Sequence, residues 1–509
     1  MPGVTGWWAE IIIEPEPAVL TLTGGVPNVE VTNNVFIEPS PAELTLIGSR
    51  PSLEQTVHPT AGALTLTGGV PNVSVGRTIT PTPASLMLTG GVPTVTVTAN
   101  NLIIPTPASL TLTGGTPTVS VLAPISIDQV GTPGSENTGS LTCSISPSSG
   151  ADVLAFAWCI DAASSCYQAN YSGNPMRFIG RAKINGGSLS AFLIENMGSG
   201  SATVTVDKTG SGWAQAVAIT YMGAVDFRQA KIALGSGTSV SQSAAPGLSS
   251  RSIQSFCRGG NNGTFGSLSG GTNRVNDSSG FVAGTIGDTS TSATFSATLS
   301  SSANWGSMVI DALPQAITTP KINYTSGVWS EANGGTQTFT VKAALHDYIV
   351  VDMVQAASGD PSSVTCAGTA MTLIDTQTWS HPSTGSGFLK RYRSGQLSSS
   401  GDKTISVTAT GSQWWHAGGV SISNVTSFGT PTKTSGTSSA PNQSVTCSTG
   451  QLILQSFATG AAATDINATN YFDSPGGSLV FLYLNAALET TTFSATGSTS
   501  WGAMATVIS

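Results

Sequence analysis

Leu20 and Leu22 alternate with Thr21 and Thr23, and a little further on Val29 and Val31 alternate with Asn28 and Glu30. Apolar residues on one parity and polar residues on the other mark strands with one buried face. The same stretch occurs five times between residues 15 and 123: PAVLTLTGGVPNVEV from Pro17, PAELTLIGSRPSLEQ from Pro41, GALTLTGGVPNVSV from Gly62, PASLMLTGGVPTVTV from Pro83 and PASLTLTGGTPTVSV from Pro107. Its marker leucines Leu20, Leu44, Leu64, Leu86 and Leu110 stand 24, 20, 22 and 24 residues apart. Each unit predicts two short strands about a Gly-Gly turn. A lone two-stranded unit buries too little to stand in water, so the array must stack on itself, on a symmetry mate or on a larger surface. Pro-rich joints such as Ile79–Pro83 read as stiff spacers. Ahead of the repeats, residues 1–14 carry Trp7-Trp8 and Ile11-Ile12-Ile13. That apolar end has two readings, a docking segment for a partner or a cap packed under the first repeat.

From about residue 124 the strands lengthen and a second self-similarity appears. A strand, a Gly/Ser turn, a tryptophan and a run of small and β-branched residues recur around Trp213, Trp305, Trp415 and Trp501, spaced 92, 110 and 86. Each of these four halves opens on an apolar strand (Val153, Ile253, Tyr348 and Leu452 lie at their starts) and has a middle strand near Phe192, Phe281, Phe388 and Val480. With the Pro-flanked link Leu313–Pro320 between the second and third halves, the expected fold is all-β. The repeat array is followed by two tandem jelly-roll-like antiparallel β-sandwiches, 124–315 and 319–509, each internally duplicated. Trp213, Trp305 and Trp501 are expected to plug the cores.

Composition then narrows function. Charged residues make up 9% of the 509, Lys+Arg 18 against Asp+Glu 26 for a net −8, while Gly 59 and Pro 27 abound. Ser and Thr occupy the alternate strand positions where charges usually stand. Such a chain lacks the helix formers of an ordinary cytosolic enzyme. It also has no basic cluster to displace phosphate counterions, so nucleic acid is not an expected partner. The longest apolar run, Val153–Ile160, is too short for a membrane-spanning helix, and the N-terminus lacks the basic stretch and cleavage site of a secretory signal.

Candidate chemistry is sparse. His58, His346, His381 and His416 have no metal-ligand spacing, no cofactor or nucleotide motif is present, and no catalytic residue is assigned. His346-Asp347 has the form of a base with its orienter, but its place before a strand reads as a polar turn. Asp352 and Asp360 are the carboxylates that a polysaccharide depolymerase would need. Trp414, Trp415 and His416, with Trp379 and His381, are candidate glycan contacts; a strand end with one tryptophan inward and one outward gives the same sequence. Lys390-Arg391-Tyr392-Arg393 reads as a solvated strand edge. Cys143, Cys366 and Cys447 share a Leu/Val-Thr-Cys setting of small core hydrophobes, whereas Cys159 and Cys166, seven apart, form a candidate disulfide.

The PASLTLTGG-x-PTVSV units and the Trp-centred halves resemble those of structural proteins of tailed bacteriophages, such as tail or head fibres and decoration proteins. The resemblance implies a non-enzymatic virion protein in several copies, a homo-oligomer anchored through its repeats to other capsid or tail proteins. It would be made in the host cytoplasm, released by lysis, and would display its sandwiches for particle contacts or host attachment. A carbohydrate-binding adhesin module is the alternative.

Overall fold

The computed structural model describes the ten strands within residues 1–123 and, from residue 124 on, all residues except 137–139, 161–165, 209, 211, 248, 261–262, 280–281, 327–329, 357–360, 474–480, 489 and 497–499. Trp7, Trp8, His58 and Asp360 lie outside the described residues. The chain divides into two compact units, the N-terminal array and a body comprising Ile125–Pro246 and Arg251–Ser509. Among the described residues every regular element is a strand.

In the array the strands are β1 (Val19–Thr23), β2 (Asn28–Glu30), β3 (Glu43–Gly48), β4 (Ser52–Glu54), β5 (Ala63–Gly68), β6 (Asn72–Val75), β7 (Ser85–Thr89), β8 (Thr94–Thr98), β9 (Ser109–Thr113) and β10 (Thr118–Leu122). Every unit contributes two strands, but they do not pair with each other as a hairpin would. Odd strands form one parallel sheet in the order β1-β3-β5-β7-β9, and even strands form another, β2-β4-β6-β8-β10. Leu20, Leu44, Leu64, Leu86 and Leu110 stand in one row across the first sheet. Val29, Leu53, Val73, Val95 and Val119 form the matching row across the second. Like strands stacked about 4.8 Å apart give each backbone group a partner in the next unit. The self-similar sequence favours like on like.

The body repeats one strand order four times, in modules of residues 125–222, 226–313, 321–423 and 432–508. Each has an opening strand (Ala151–Cys159, Arg251–Arg258, Tyr348–Ala356, Leu452–Thr459) between a closing strand (Ala214–Met222, Ala293–Leu313, Gly401–Ser423, Trp501–Ile508) and a middle strand (Gly187–Met197, Val282–Thr289, Gly387–Arg393, Phe481–Ala487). A rim strand (Arg177–Ile184, Thr272–Ser279, Thr372–Trp379, Ile466–Asp473) follows the middle one. All these neighbours are antiparallel. Shorter strands form a second layer in modules 1 and 4. In modules 2 and 3 the closing strand is long, 21 and 23 residues. In module 2 its first part brings Phe295 and Ala297 over Phe256 of the opening strand.

The modules pack in pairs. Modules 1 and 2 lie sheet on sheet, with Leu154, Phe156 and Trp158 against Ile253, Cys257 and Ile286. Modules 3 and 4 do the same, with Val350, Val354 and Leu389 against Leu454, Leu484 and Met504. The rim strands of modules 1 and 4 then pair antiparallel, Arg181 with Asn470, so that one sheet of eleven strands crosses both. The Pro-rich link is itself tied down: Asp226 accepts from the Ile317 N–H at 3.0 Å and from Lys321 Nζ at 2.6 and 2.7 Å. Cover on both faces explains the apolar run from Val153 to Cys159; all nine residues of Ala151–Cys159 are buried.

Candidate functional site

Of the residues expected as glycan contacts, Trp415, His416, Trp379 and His381 are buried and Trp414 is exposed. Successive side chains of a strand point to opposite faces, and on the third closing strand Trp415 is wholly buried in the core of module 3 beside Met353 and Ile405, while Trp414 is 39% exposed. His416, on the face opposite Trp415, is also fully buried, and burial pushes its pKa down to about 4. Trp379 is buried at the joint of modules 3 and 4, where a Cβ on Gly502 would sit 3.0 Å from it. Its neighbour His381, edge-on at 5.2 Å, is buried too. His381 Nδ1 accepts from the N–H groups of Ser383 and Thr384 at 3.3 and 3.2 Å, which fixes a turn.

The tryptophans expected as plugs divide. Trp305 and Trp501 are buried, each edge-on to the phenylalanine of its opening strand (Phe256 and Phe457) with ring centroids 6.2 Å apart. Each lies over a glycine directly across the ladder, Gly235 and Gly436, on outer strands; an aromatic face covering a bare backbone stabilises such a pair. Trp213 is half-buried and packs against the joint of modules 1 and 2; it stands just ahead of its closing strand, Ala214–Met222, whereas Trp305 and Trp501 lie within theirs.

The ionisable candidates serve packing. His346, at φ 69°, occupies a left-handed turn, and Asp347 behind it is buried, accepting from Asn323 Nδ2 at 3.0 Å and from the Ala344 N–H at 2.8 Å. Asp352 is buried with Arg391, whose Nε and Nη2 reach its two oxygens at 2.8 Å. Across the joint, Arg391 also donates to Leu454 O, Thr506 Oγ1 and Ser456 Oγ at 2.8, 2.9 and 2.8 Å. A carboxylate so engaged is not a hydrolytic acid facing substrate. The stretch Lys390–Arg393 is accordingly no solvated edge, since its strand lies between two others. Sequence reasoning missed this pair; an Asp inside the apolar run Tyr348–Ala356 was the available signal, because a buried charge needs a partner. No group of His, Cys, Asp and Glu suited to a metal occurs among the described residues.

One surface groove, of about 480 Å³, lies between the start of module 3's opening strand and the segment entering module 4, a size that suits a small ligand. Tyr348 and Phe428 meet edge-on at 5.4 Å, and the Arg393 guanidinium stands 5.3 Å from the Phe428 ring. Asp375 lines the other side with exposed Leu373, and Thr372, Thr426 and Thr430 supply hydroxyls. Partial burial raises the Asp375 pKa, but Lys433, bonded to it at 2.8 Å, and the Thr376 N–H bring it below the usual carboxylate range. Aromatic faces, a guanidinium and a fixed carboxylate can hold a polar ring compound by its face and edges.

No family model and no curated protein matches the chain. Among solved structures, the enzymatically active domain of tailspike protein 4 of bacteriophage CBA120 aligns at 9% identity with a TM-score of 0.13, over 40% of this chain and 44% of that one. A score so low carries no argument about fold or activity.

Proposed function

We propose that the chain is a non-enzymatic structural protein of a bacteriophage virion, a fibre or decoration component. Its array anchors or spaces it, and its four-module body is displayed for contacts on the particle surface. The like-on-like stacking of five units into two parallel ladders supports this reading most, since such a ladder holds a shape along one direction without a large core. The resemblance of the repeats to those of tailed-phage structural proteins supports it, as does a surface faced with hydroxyls. Its partners would be other virion proteins and further copies of itself. Mass spectrometry of gradient-purified particles, with immunogold labelling, is expected to find the chain in the particle; its absence from intact particles overturns the reading.

A second reading rests on the groove at Tyr348, Phe428 and Arg393, whose chemistry suits a host surface glycan. It predicts glycan-array binding that falls at least tenfold on Phe428→Ala or Arg393→Ala with the fold retained.

A further inference from the structure

Cys159 and Cys166 face each other with their sulfurs 3.3 Å apart, both fully buried. They end and begin strands of different layers of module 1. Cys159 closes the opening strand in the eleven-stranded sheet, and Cys166 begins Cys166–Tyr171 in the four-stranded sheet that covers it. Both backbones are firmly held. Cys159 is paired on either side, with Ser188 and Ala214. The carbonyl of Cys166 accepts from Ser190 Oγ at 2.8 Å and Arg181 Nη2 at 3.1 Å. The sulfurs are thus brought together by ordered chain. A covalent bond requires them to approach by a further ~1.3 Å, within reach of a small side-chain rotation.

We propose that Cys159 and Cys166 are a disulfide-forming site, an inter-layer staple of module 1 that closes under oxidising conditions. The inference is independent of the virion reading. The oxidant is a small-molecule disulfide of the glutathione class. Cys159 loses its proton and attacks one sulfur of the small disulfide, forming a mixed disulfide and releasing a thiolate that takes up that proton. Cys166 then loses its proton, its sulfur displaces the second small thiol from Cys159, and that thiol leaves protonated. Two protein thiols become one disulfide while one small disulfide becomes two thiols. Cys159 suits the attacking role: the bond from Cys166 lowers its pKa against burial, with Ser188 and the positive Arg181 and Lys208 adding to the effect, and Cys166 is raised in turn. Because both sulfurs are buried, exchange takes place during folding or through local opening where the two strands meet.

The full chain, refolded in a mixed reduced and oxidised glutathione buffer and then quenched in acid, tests this. Unfolding in iodoacetamide is expected to label four of the six cysteines, and all six after prior reduction. Cleavage before aspartates places Cys159 in residues 152–160 and Cys166 in residues 161–206, so the staple appears as a joined peptide pair that reductant separates. Six adducts without reduction, or a bridge to any other cysteine, overturns the proposal. Cys166→Ser is expected to restore labelling of Cys159, to five adducts. If that variant does not fold, the peptide pair from the unsubstituted chain decides alone.

Discussion

The body contains the same sheet-on-sheet joint twice, between modules 1 and 2 and between modules 3 and 4, and the two solve the same problem differently. In both, a tryptophan of one module sits on a glycine of the other, Trp158 on Gly284 and Trp379 on Gly502. In both, a buried aspartate is held by arginine. At the first joint Asp288 is shared by Arg251 at 2.6 Å and Arg274 at 2.9 and 3.1 Å, which remain 18% and 22% exposed, and Tyr221 points its hydroxyl at the same carboxylate. At the second, Arg391 and Asp352 are 0% and 1% exposed, and the rest of the guanidinium is bonded across the joint. The first joint leaves its cations a route to water. The second holds its two charges out of water, against each other and the neutral groups of Leu454, Ser456 and Thr506, so removing one of the pair strands the other.

The sharpest break is therefore Arg391→Ala, expected to cost about 3–5 kcal/mol in a denaturant melt because Asp352 is left charged and buried. The double substitution Asp352→Leu with Arg391→Met should recover most of that loss, since an apolar pair removes the stranded charge. Asp288→Ala should cost less, about 1–3 kcal/mol, as Arg251 and Arg274 turn toward solvent. Equal losses at the two joints would remove the distinction.

The glycine seats rank next. A Cβ on Gly284 would lie 2.2 Å from the Trp158 indole, against 3.0 Å between a Cβ on Gly502 and Trp379. Gly284→Ala is expected to destabilise by roughly 1–3 kcal/mol through overpacking, and Gly502→Ala by a smaller amount. Thermal melts of the two variants read the difference.

Acid sets modules 1 and 3 against each other. His416 has its pKa lowered by burial to about 4, so the unfolded chain takes up that proton first and stability falls as pH drops from 6.5 to 4. Asp152 has its pKa raised by burial to about 6, so the folded chain holds a proton that the unfolded one lacks, and stability rises as pH drops from 6 toward 4. His416→Gln should tilt the stability profile toward acid and Asp152→Asn away from it, each compared with the unsubstituted chain. The smallest effect belongs to the exposed pair: Lys433→Ala, releasing Asp375, should change stability by less than about 1 kcal/mol.

Strands were legible from alternation, and the four body segments from their tryptophans, because both signals are local. Alternation assigns a face but not a neighbour, so the stacking of β1 on β3 instead of β2 could not be read from Leu20 and Val29. The same limit hid which residues meet at the joints. Val153–Ile160 is apolar on both parities, the mark of a strand covered on both sides, yet no local feature says what covers it. Trp414, Trp415 and His416 illustrate the remainder: three adjacent letters describe a cluster, while the pleat and the packing of module 4 decide which of them meets water.

The pairing of the two rim strands carries a consequence for how the chain is made. Arg181 must meet Asn470, 289 residues later, so the first module leaves the ribosome with a bare edge and waits for its partner. At ordinary elongation rates that interval is roughly 15–60 s, long enough for a neighbouring nascent chain to seize the edge. Arg177, Arg181 and Lys183 place three cations on that one eight-residue strand of a charge-poor protein, and charged side chains are what natural sheets use to blunt an edge.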